Sequence, residues 1–428
     1  MTLFDDLRAR EFARLGDHAY LDYTGSALYG ESQLRAHHAL MSAGLFGNPH
    51  SDSAPSRASS EVIDAARRRV LRFFDADEST HDVCFTTNTS AAIKLVAEAY
   101  PFGSLVLSAD NHNSVNGMRE YARRAGARVR TLPLDGELRL DASALGDGPG
   151  LLAFPAQSNF SGVQHPLALV AEAQARGFDV LIDAAAFAPS HPLSLRDCPA
   201  DFVALSFYKL FGYPTGIGAL IARRDALARL RRPWFAGGTV LFASVANDRH
   251  LLRPRHEGFE DGTPNFLGLA ALDAGFDLLD EVQMPRLAAH VTALTRDLLD
   301  GLRALPDVTI YGPSDATRRG GTVAFNIRGI PYWDVETRAR EAGVSLRGGC
   351  FCNPGASEAA FGLDPARVDQ CLTALGESFT PARLAGCLGA PVGAVRASVG
   401  LANTDADVAR ALDVIASLVA ERRWRRSA

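Results

Sequence analysis

Two cysteines one residue apart, Cys350 and Cys352, sit in Gly349-Cys350-Phe351-Cys352-Asn353-Pro354-Gly355. A glycine before and Pro-Gly after read as loop, with no room for a regular helix or a central strand. Two thiols on a mobile, exposed loop are a liability unless they do chemistry. Other residues could work beside them. Lys209 closes Ser206-Phe207-Tyr208-Lys209, where aromatic neighbours would desolvate an ammonium and lower its pKa. Asp183 ends the apolar run Asp179-Val180-Leu181-Ile182-Asp183, and a carboxylate there needs a partner charge or a capping role. Thr86-Thr87-Asn88-Thr89-Ser90 offers hydroxyls and backbone N–H groups that suit a phosphate, though alone it reads more readily as a helix cap. His112, in Asn111-His112-Asn113, supplies a flat ring; alone it is an ordinary loop histidine.

These residues fall just past short apolar runs. His81-Asp82-Val83-Cys84-Phe85-Thr86, Ser104-Leu105-Val106-Leu107-Ser108, Leu151-Leu152-Ala153-Phe154-Pro155, residues 179–183, 201–206 and 217–221 read as buried strands. Helical patterns over 90–97, 114–124 and 167–176 separate them, so an α/β fold with a mostly parallel sheet covered on both faces is expected. In such sheets ligands collect at the carboxyl ends of the strands, where Thr89, His112, Asp183, Ser206 and Lys209 lie. After about Ala289 the pattern changes to a long helix followed by strands at 307–311 and 322–327. Residues 16–290 therefore read as a large domain, and 1–15 with 291–428 as a smaller α+β domain.

Composition narrows the class. The 428 residues carry a formal charge of −5, so bulk attraction to nucleic acid or an anionic membrane is not indicated. The basic run Arg422-Arg423-Trp424-Arg425-Arg426 reads as a solvated helix end. No apolar run is long enough to span a bilayer, and Leu7 to Phe12 lacks an apolar targeting core. Six cysteines do not read as a disulfide framework, and a cytoplasmic protein is expected.

Taken together, the strand-end residues fit one cofactor. Pyridoxal 5′-phosphate needs a lysine for its Schiff base, a carboxylate for its pyridine nitrogen, a phosphate cradle and a flat group over its ring. The sequence is similar to class V, fold-type I pyridoxal-phosphate enzymes of the cysteine desulfurase group, and within it to the desulfurase domain of molybdenum cofactor sulfurases. Segments carrying the likeness include Tyr20-Leu21-Asp22, residues 46–51, Asp183-Ala184-Ala185-Ala186-Phe187, residues 206–216, 237–239 and 259–265, Gly349 to Ala356, and Val395-Arg396-Ala397-Ser398-Val399-Gly400.

The resemblance implies that Lys209 bonds the cofactor and moves protons, that Asp183 keeps the pyridine nitrogen protonated, and that His112 stacks on the ring and acts as acid or base. It gives the phosphate to Thr89, Ser90 and Ser206, joined by Thr263 from the other subunit of a homodimer. Asn159 and Arg396 would bind substrate, Arg396 through the substrate carboxylate; the residues alone leave Arg396 on the surface. An Arg-x-Gly-x-x-Cys pattern, met by Arg347-Gly348-Gly349-Cys350-Phe351-Cys352, points to Cys352 as the nucleophile and leaves Cys350 to pack or to receive sulfur. The implied reaction converts L-cysteine to L-alanine with a persulfide on Cys352 for an acceptor protein or cofactor, on a loop that must move.

Gly348 and Ala186 depart from the commoner pattern, where threonine and glutamine stand, and Ser357 replaces a third loop cysteine. Other reactions on this scaffold, a carbon–sulfur lyase, an epimerase or an aminotransferase, compete with the desulfurase. A metal-binding protein using Cys350, Cys352, Cys371 and Cys387 would need four converging ligands, and only the first two are close in sequence, so no metal is expected.

Overall fold

Successive residues of the central strands serve opposite faces, which is how one apolar run covers two layers. Val180 and Ile182 join the core on one side of the sheet and Leu181 the core on the other; Val203 and Leu205 are likewise split from Phe202 and Ala204. The computed structural model describes residues 2–427, with side chains to Trp424. Its main sheet has seven strands. In chain order these are β1 (His81–Thr86), β2 (Ser104–Ser108), β3 (Arg128–Leu132), β4 (Gly150–Pro155), β5 (Phe178–Asp183), β6 (Phe202–Ser206) and β7 (Gly218–Arg223). They lie in the order β1-β7-β6-β5-β4-β2-β3, all parallel except β7, which runs antiparallel to β1 and β6.

The reversal of β7 brings its first residue to the edge where the other strands end. Gly218 is opposite both Thr86 and Ser206. A Cβ there would stand 2.6 Å from the Asn88 backbone and 2.6 Å from the Leu205 carbonyl oxygen. Glycine is thus required for the turn after β1 to close over the sheet.

A second sheet has four strands: β8 (Val308–Tyr311), β9 (Thr322–Ile327), β10 (Arg347–Gly349) and β11 (Ala394–Ser398), in the order β8-β9-β11-β10. The helices Met284–Ala304 and Asp405–Ser427 pack together beside it, and Arg8 of the first helix pairs with Asp407 at 2.8 Å. The 290/291 boundary expected from the sequence falls inside the helix Met284–Ala304.

Most expected elements are present within a residue or two, and the differences have causes. The helix expected over 114–124 is divided at Gly117 into Asn113–Asn116 and Met118–Arg124, where glycine weakens a helix interior. Pro354-Gly355, read as loop, opens the helix Pro354–Phe361 instead. Proline suits the first helical turn, Asn353 caps it, and Gly355 admits Ala109, whose carbonyl a Cβ would strike at 2.2 Å. Strand β3, alternating arginine with apolar residues at an exposed edge, and the hairpin Val240–Ser244/Arg249–Leu252 were not read.

The expectation of no disulfide is corrected. Cys371 and Cys387 are bonded, with Cα atoms 5.9 Å apart, because the helices Pro365–Leu375 and Pro381–Leu388 form a hairpin that faces them toward each other. Both are thereby removed from any four-cysteine metal site. Among the described residues no cluster could hold a metal, and no helix is long and apolar enough to cross a membrane. Arg422, in the C-terminal helix, pairs with Asp307 at 3.0 Å; the side chains of Arg425 and Arg426 lie outside the described residues.

Beneath the short helix Phe207–Phe211, which carries Lys209, Phe276 packs on Phe73, Phe207 and Phe211 with centroids 5.0, 6.0 and 5.2 Å away. Phe276→Ala should cost about 3–5 kcal/mol, read as a lower urea midpoint at unchanged slope. A loss under about 1 kcal/mol would show that this aromatic stack does not support the helix.

Candidate active site

The carboxyl edge of the main sheet gathers one cavity, walled by Thr89, Ser90, His112, Asn159, Asp183, Ser206 and Lys209. Lys209 follows β6, and its surroundings desolvate it, pushing the ammonium pKa below its ordinary value against the pull of Asp183. Among the described residues Lys209 Nζ has no hydrogen-bond or ion-pair partner. The Asp183 carboxylate, at the end of β5 and buried, accepts one hydrogen bond, from the Ala185 N–H at 2.9 Å. An amine and a carboxylate that share a cavity without contacting each other leave room for a group between them.

The hydroxyl cluster sits where β1 becomes the helix Thr89–Ala99. Asn88 caps that helix by accepting from the Ala91 N–H at 3.0 Å. The Thr89 N–H donates to Ser206 Oγ at 2.7 Å, and the two hydroxyls lie 2.6 Å apart. Ser90 Oγ is 2.5 Å from Ser114 Oγ. A helix N-terminus ringed by hydroxyls is an anion site.

His112 caps the next short helix, accepting the Ser114 N–H on Nδ1 at 3.1 Å. That bond leaves the proton on Nε2. Burial lowers its pKa, as do the cations Lys209 and Arg396, while Asp183 opposes them. The ring is therefore neutral at physiological pH.

Arg396 is 2 % exposed, on β11, and not on the surface as its sequence context alone suggested. It donates to the Asn159 carbonyl at 2.8 Å and to Asp22 Oδ1 at 3.0 Å, and lies 4.6 Å over the Phe351 ring. Burial lowers its pKa to about 10, so it stays charged. Asp22 also takes two bonds from Arg347, through Nε at 3.0 Å and Nη2 at 2.5 Å. One carboxylate thus serves two guanidiniums, and among the described residues the buried Arg396 Nε has no hydrogen-bond partner. Gly348 permits the strand to lie against Tyr332, whose ring a Cβ would meet at 2.5 Å, so a threonine does not fit there.

Cys350 and Cys352 are both exposed. In this structure their loop is docked through its backbone. Asn159 Nδ2 donates to the Phe351 carbonyl at 2.7 Å and the Asn113 N–H to the Cys352 carbonyl at 2.7 Å. Phe351 itself is buried against Phe160. Asn159 also lines the Lys209 cavity, so the cysteine turn is fastened to the cavity wall, although neither Cys350 nor Cys352 lines the cavity itself. Thr263 is absent from this cavity; it lines a separate one with Thr86, Thr87 and Lys94.

The sequence pointed to Lys209, Asp183, His112, Thr89, Ser90, Ser206 and Asn159, which the fold brings together. It gave no role to Asp22, Arg347, Asp110 or Asn353, which fasten the surroundings. Asp22 lay within a quoted segment, but only its contact with Arg396 reveals its part.

A mostly parallel sheet of this order, with a lysine that has no partner among the described residues past the strand next to the carboxylate strand, is the layout of fold-type I pyridoxal-phosphate enzymes. The chain belongs to the aminotransferase class-V family, matched over residues 19–411, and is pyridoxal-phosphate dependent. A molybdenum cofactor sulfurase of Solanum lycopersicum is 35 % identical over 96 % of this chain and 57 % of its own length. The same-named protein of Bos taurus is 35 % identical over 93 % of this chain and 50 % of its own. The chain thus spans about half the length of these curated relatives. Among solved structures, an apo cysteine desulfurase from Thermococcus onnurineus aligns with a TM-score of 0.83 at 26 % identity, over 98 % of this chain and 99 % of that one. A cysteine desulfurase from Escherichia coli has the same fold, with a TM-score of 0.79 at 24 % identity over 98 % and 99 % of the two chains.

The depressed pKa of His112 has a measurable consequence. Its folded value lies below its unfolded value of about 6.5, so protonation opposes folding and the contribution to stability is lost as pH falls through that value. NMR of the cofactor-free protein, with His112→Gln to assign the signal, should show a neutral imidazole at about pH 6.5. A half-protonated ring at that pH would contradict the burial argument.

Proposed function

We propose that the chain is a cysteine desulfurase that takes L-cysteine to L-alanine and leaves the sulfur as a persulfide on Cys352. What carries this reading is the link through Asn159, which lines the Lys209 cavity and holds the backbone of the cysteine turn. The residues fit the cofactor: Lys209 offers an unpartnered amine, Asp183 a carboxylate for the pyridine nitrogen, and His112 a ring for stacking. Thr89, Ser90 and Ser206 would take the phosphate at the helix N-terminus. When bound, the cofactor supplies an electron sink for the bonds at the substrate Cα.

The chain's own groups do the rest. Lys209, its pKa lowered, is available as a base to take the Cα proton and return one to the product. His112, with its proton on Nε2, is a neutral donor beside the reacting atoms. Arg396 would bind the substrate carboxylate, its buried Nε still lacking an acceptor. The Cys352 thiolate forms an S–S bond to the substrate sulfur as the Cβ–S bond breaks. In sum, L-cysteine and a thiol give alanine and a persulfide. An acceptor then takes the sulfur; the name of the relatives makes molybdenum cofactor, free or protein-bound, the first candidate.

A homodimer is part of the proposal. Thr263 lies outside the cavity of its own chain, as a residue serving a partner's phosphate site would. The hairpin nearby exposes Phe242 and Leu251, apolar surface that a second copy could cover. Cytoplasmic residence also belongs to this reading; the free thiols of Cys84, Cys198, Cys350 and Cys352 favour it, and the Cys371–Cys387 disulfide counts against it.

The test is incubation with L-cysteine, measuring alanine, sulfide and the mass of the Cys352 peptide. Cys352→Ala should keep the cofactor absorbance and lose on the order of a hundredfold or more in alanine formation. Lys209→Ala should lose both, and borohydride should fix the cofactor to Lys209 in the wild type. Unchanged turnover in Cys352→Ala would sink the persulfide step, and pyruvate in place of alanine would indicate β-elimination.

A further inference from the structure

A carboxylate with no surface exposure lies behind the cysteine turn. Asp110, two residues before His112, is wholly buried and faces His165, also wholly buried. The Leu140 N–H donates to His165 Nδ1 at 3.1 Å, so Nε2 holds the proton and donates it to Asp110 Oδ2 at 2.8 Å. The other oxygen, Oδ1, accepts from the Ser158 hydroxyl at 2.9 Å and from Asn353 Nδ2 at 2.5 Å. Three donors thus reach the carboxylate, and among the described residues no lysine or arginine pairs with it. A buried charge of this kind is costly unless every donor stays in place.

Asn353 is the donor that matters for chemistry, because it follows Cys352. Its Nδ2 also reaches Asn159 Oδ1 at 2.9 Å, and its Oδ1 caps the helix Pro354–Phe361 through the Ala356 N–H at 3.2 Å. The turn it closes is strained. Phe351 and Cys352 both have positive φ, 55° and 56°. Neither is a residue that adopts this region readily, and each costs roughly 1–2 kcal/mol there. Such a conformation persists only where its surroundings impose it.

We propose that the Asp110 carboxylate, through Asn353, is the positioning group that holds Cys352 in its left-handed turn beside the Lys209 cavity. The turn then has a fastened state, in which the thiol is aimed at substrate, and a released state, in which the strain is relieved and the thiol is free to meet an acceptor. Asp110 and Asn353 act through Cys352 and touch no reactant. This rests on the reading of Cys352 as the sulfur-accepting thiol.

The substitution that isolates the latch is Asn353→Asp. Aspartate caps a helix as well as asparagine does, but it removes the donor and sets a carboxylate against Asp110. Two such groups share one proton, so one pKa rises, and below it an O–H···O bond replaces the lost N–H···O bond. The titratable or charged groups facing this pair are His165, bonded to Asp110, then His112 two residues along and Arg396 across the Phe351 ring.

In holoenzyme at about pH 8 the variant should exchange the Asn113 and Asn353 amides, which bond to the Cys352 and Cys350 carbonyls, at least about tenfold faster than wild type. Its cofactor absorbance and KM should stay within about twofold, while kcat and Cys352 persulfide yield fall about tenfold. At about pH 6 both the protection and the ratio of variant to wild-type kcat should recover. Asn353→Ala should show the faster exchange at both pH values and no recovery.

Unaltered exchange in both variants, or faster exchange with undiminished kcat, overturns the proposal, as does an Asn353→Asp defect that ignores pH. If the wild type itself forms no persulfide on Cys352, the desulfurase reading fails instead, and the exchange data still decide whether Asp110 fastens the turn.

Discussion

An amine kept without a partner is the constraint on which the site depends. Lys209 would gain from an ion pair with Asp183, yet the two stand apart across the cavity, and burial lowers the lysine pKa. Holding them apart has an energetic cost, since both are desolvated. Rigid elements meet it: Asp183 is fixed by the end of a central strand and Lys209 by a short helix seated on the aromatic stack around Phe276. Gly218 does similar work on the other wall, letting the Asn88–Thr89 turn close without moving either strand.

The same principle of one ionic group held between competitors recurs at Asp22. With Arg347 and Arg396 both bonded to one carboxylate, the cluster keeps a surplus positive charge, and a substrate carboxylate would complete it. Arg347 lies on β10, just before the cysteine turn, and Arg396 lies on β11 beside it. The two guanidiniums and the strand that leads into the cysteine turn are therefore one structural unit, tied to the N-terminal segment by Asp22.

What the sequence made legible was local. An apolar run ending in Asp183, or a hydroxyl pair at a helix start, announces its position by its own few residues, and the strand-end rule then groups such residues without contacts. What it hid were pairs distant along the chain. Asp22 and Arg396 are 374 residues apart, and Asp110 and Asn353 are 243. Nothing in the vicinity of either partner indicates the other. Cys371 and Cys387 are a milder case, close in sequence but joined only because two helices fold back on each other. Pro354-Gly355 misled for a different reason: the dipeptide signals a break equally well when it starts a helix as when it ends one.

The cysteine turn joins these two kinds of information. The resemblance to desulfurases singles out Cys352, while the loop residues alone suggested a thiol on a mobile arm. Under the proposed desulfuration that thiol would face opposed demands: it would have to be aimed while the substrate's carbon–sulfur bond breaks and to leave for the acceptor afterwards. A relaxed loop meets the second demand and fails the first, and a fully relaxed turn docked by many contacts would do the reverse. Two left-handed residues whose carbonyls accept from Asn159 and Asn113, followed by Asn353 donating to Asp110, lie between. The strain they carry offsets part of the docking energy, which narrows the gap between the docked and free arrangements and lets one short turn serve both steps.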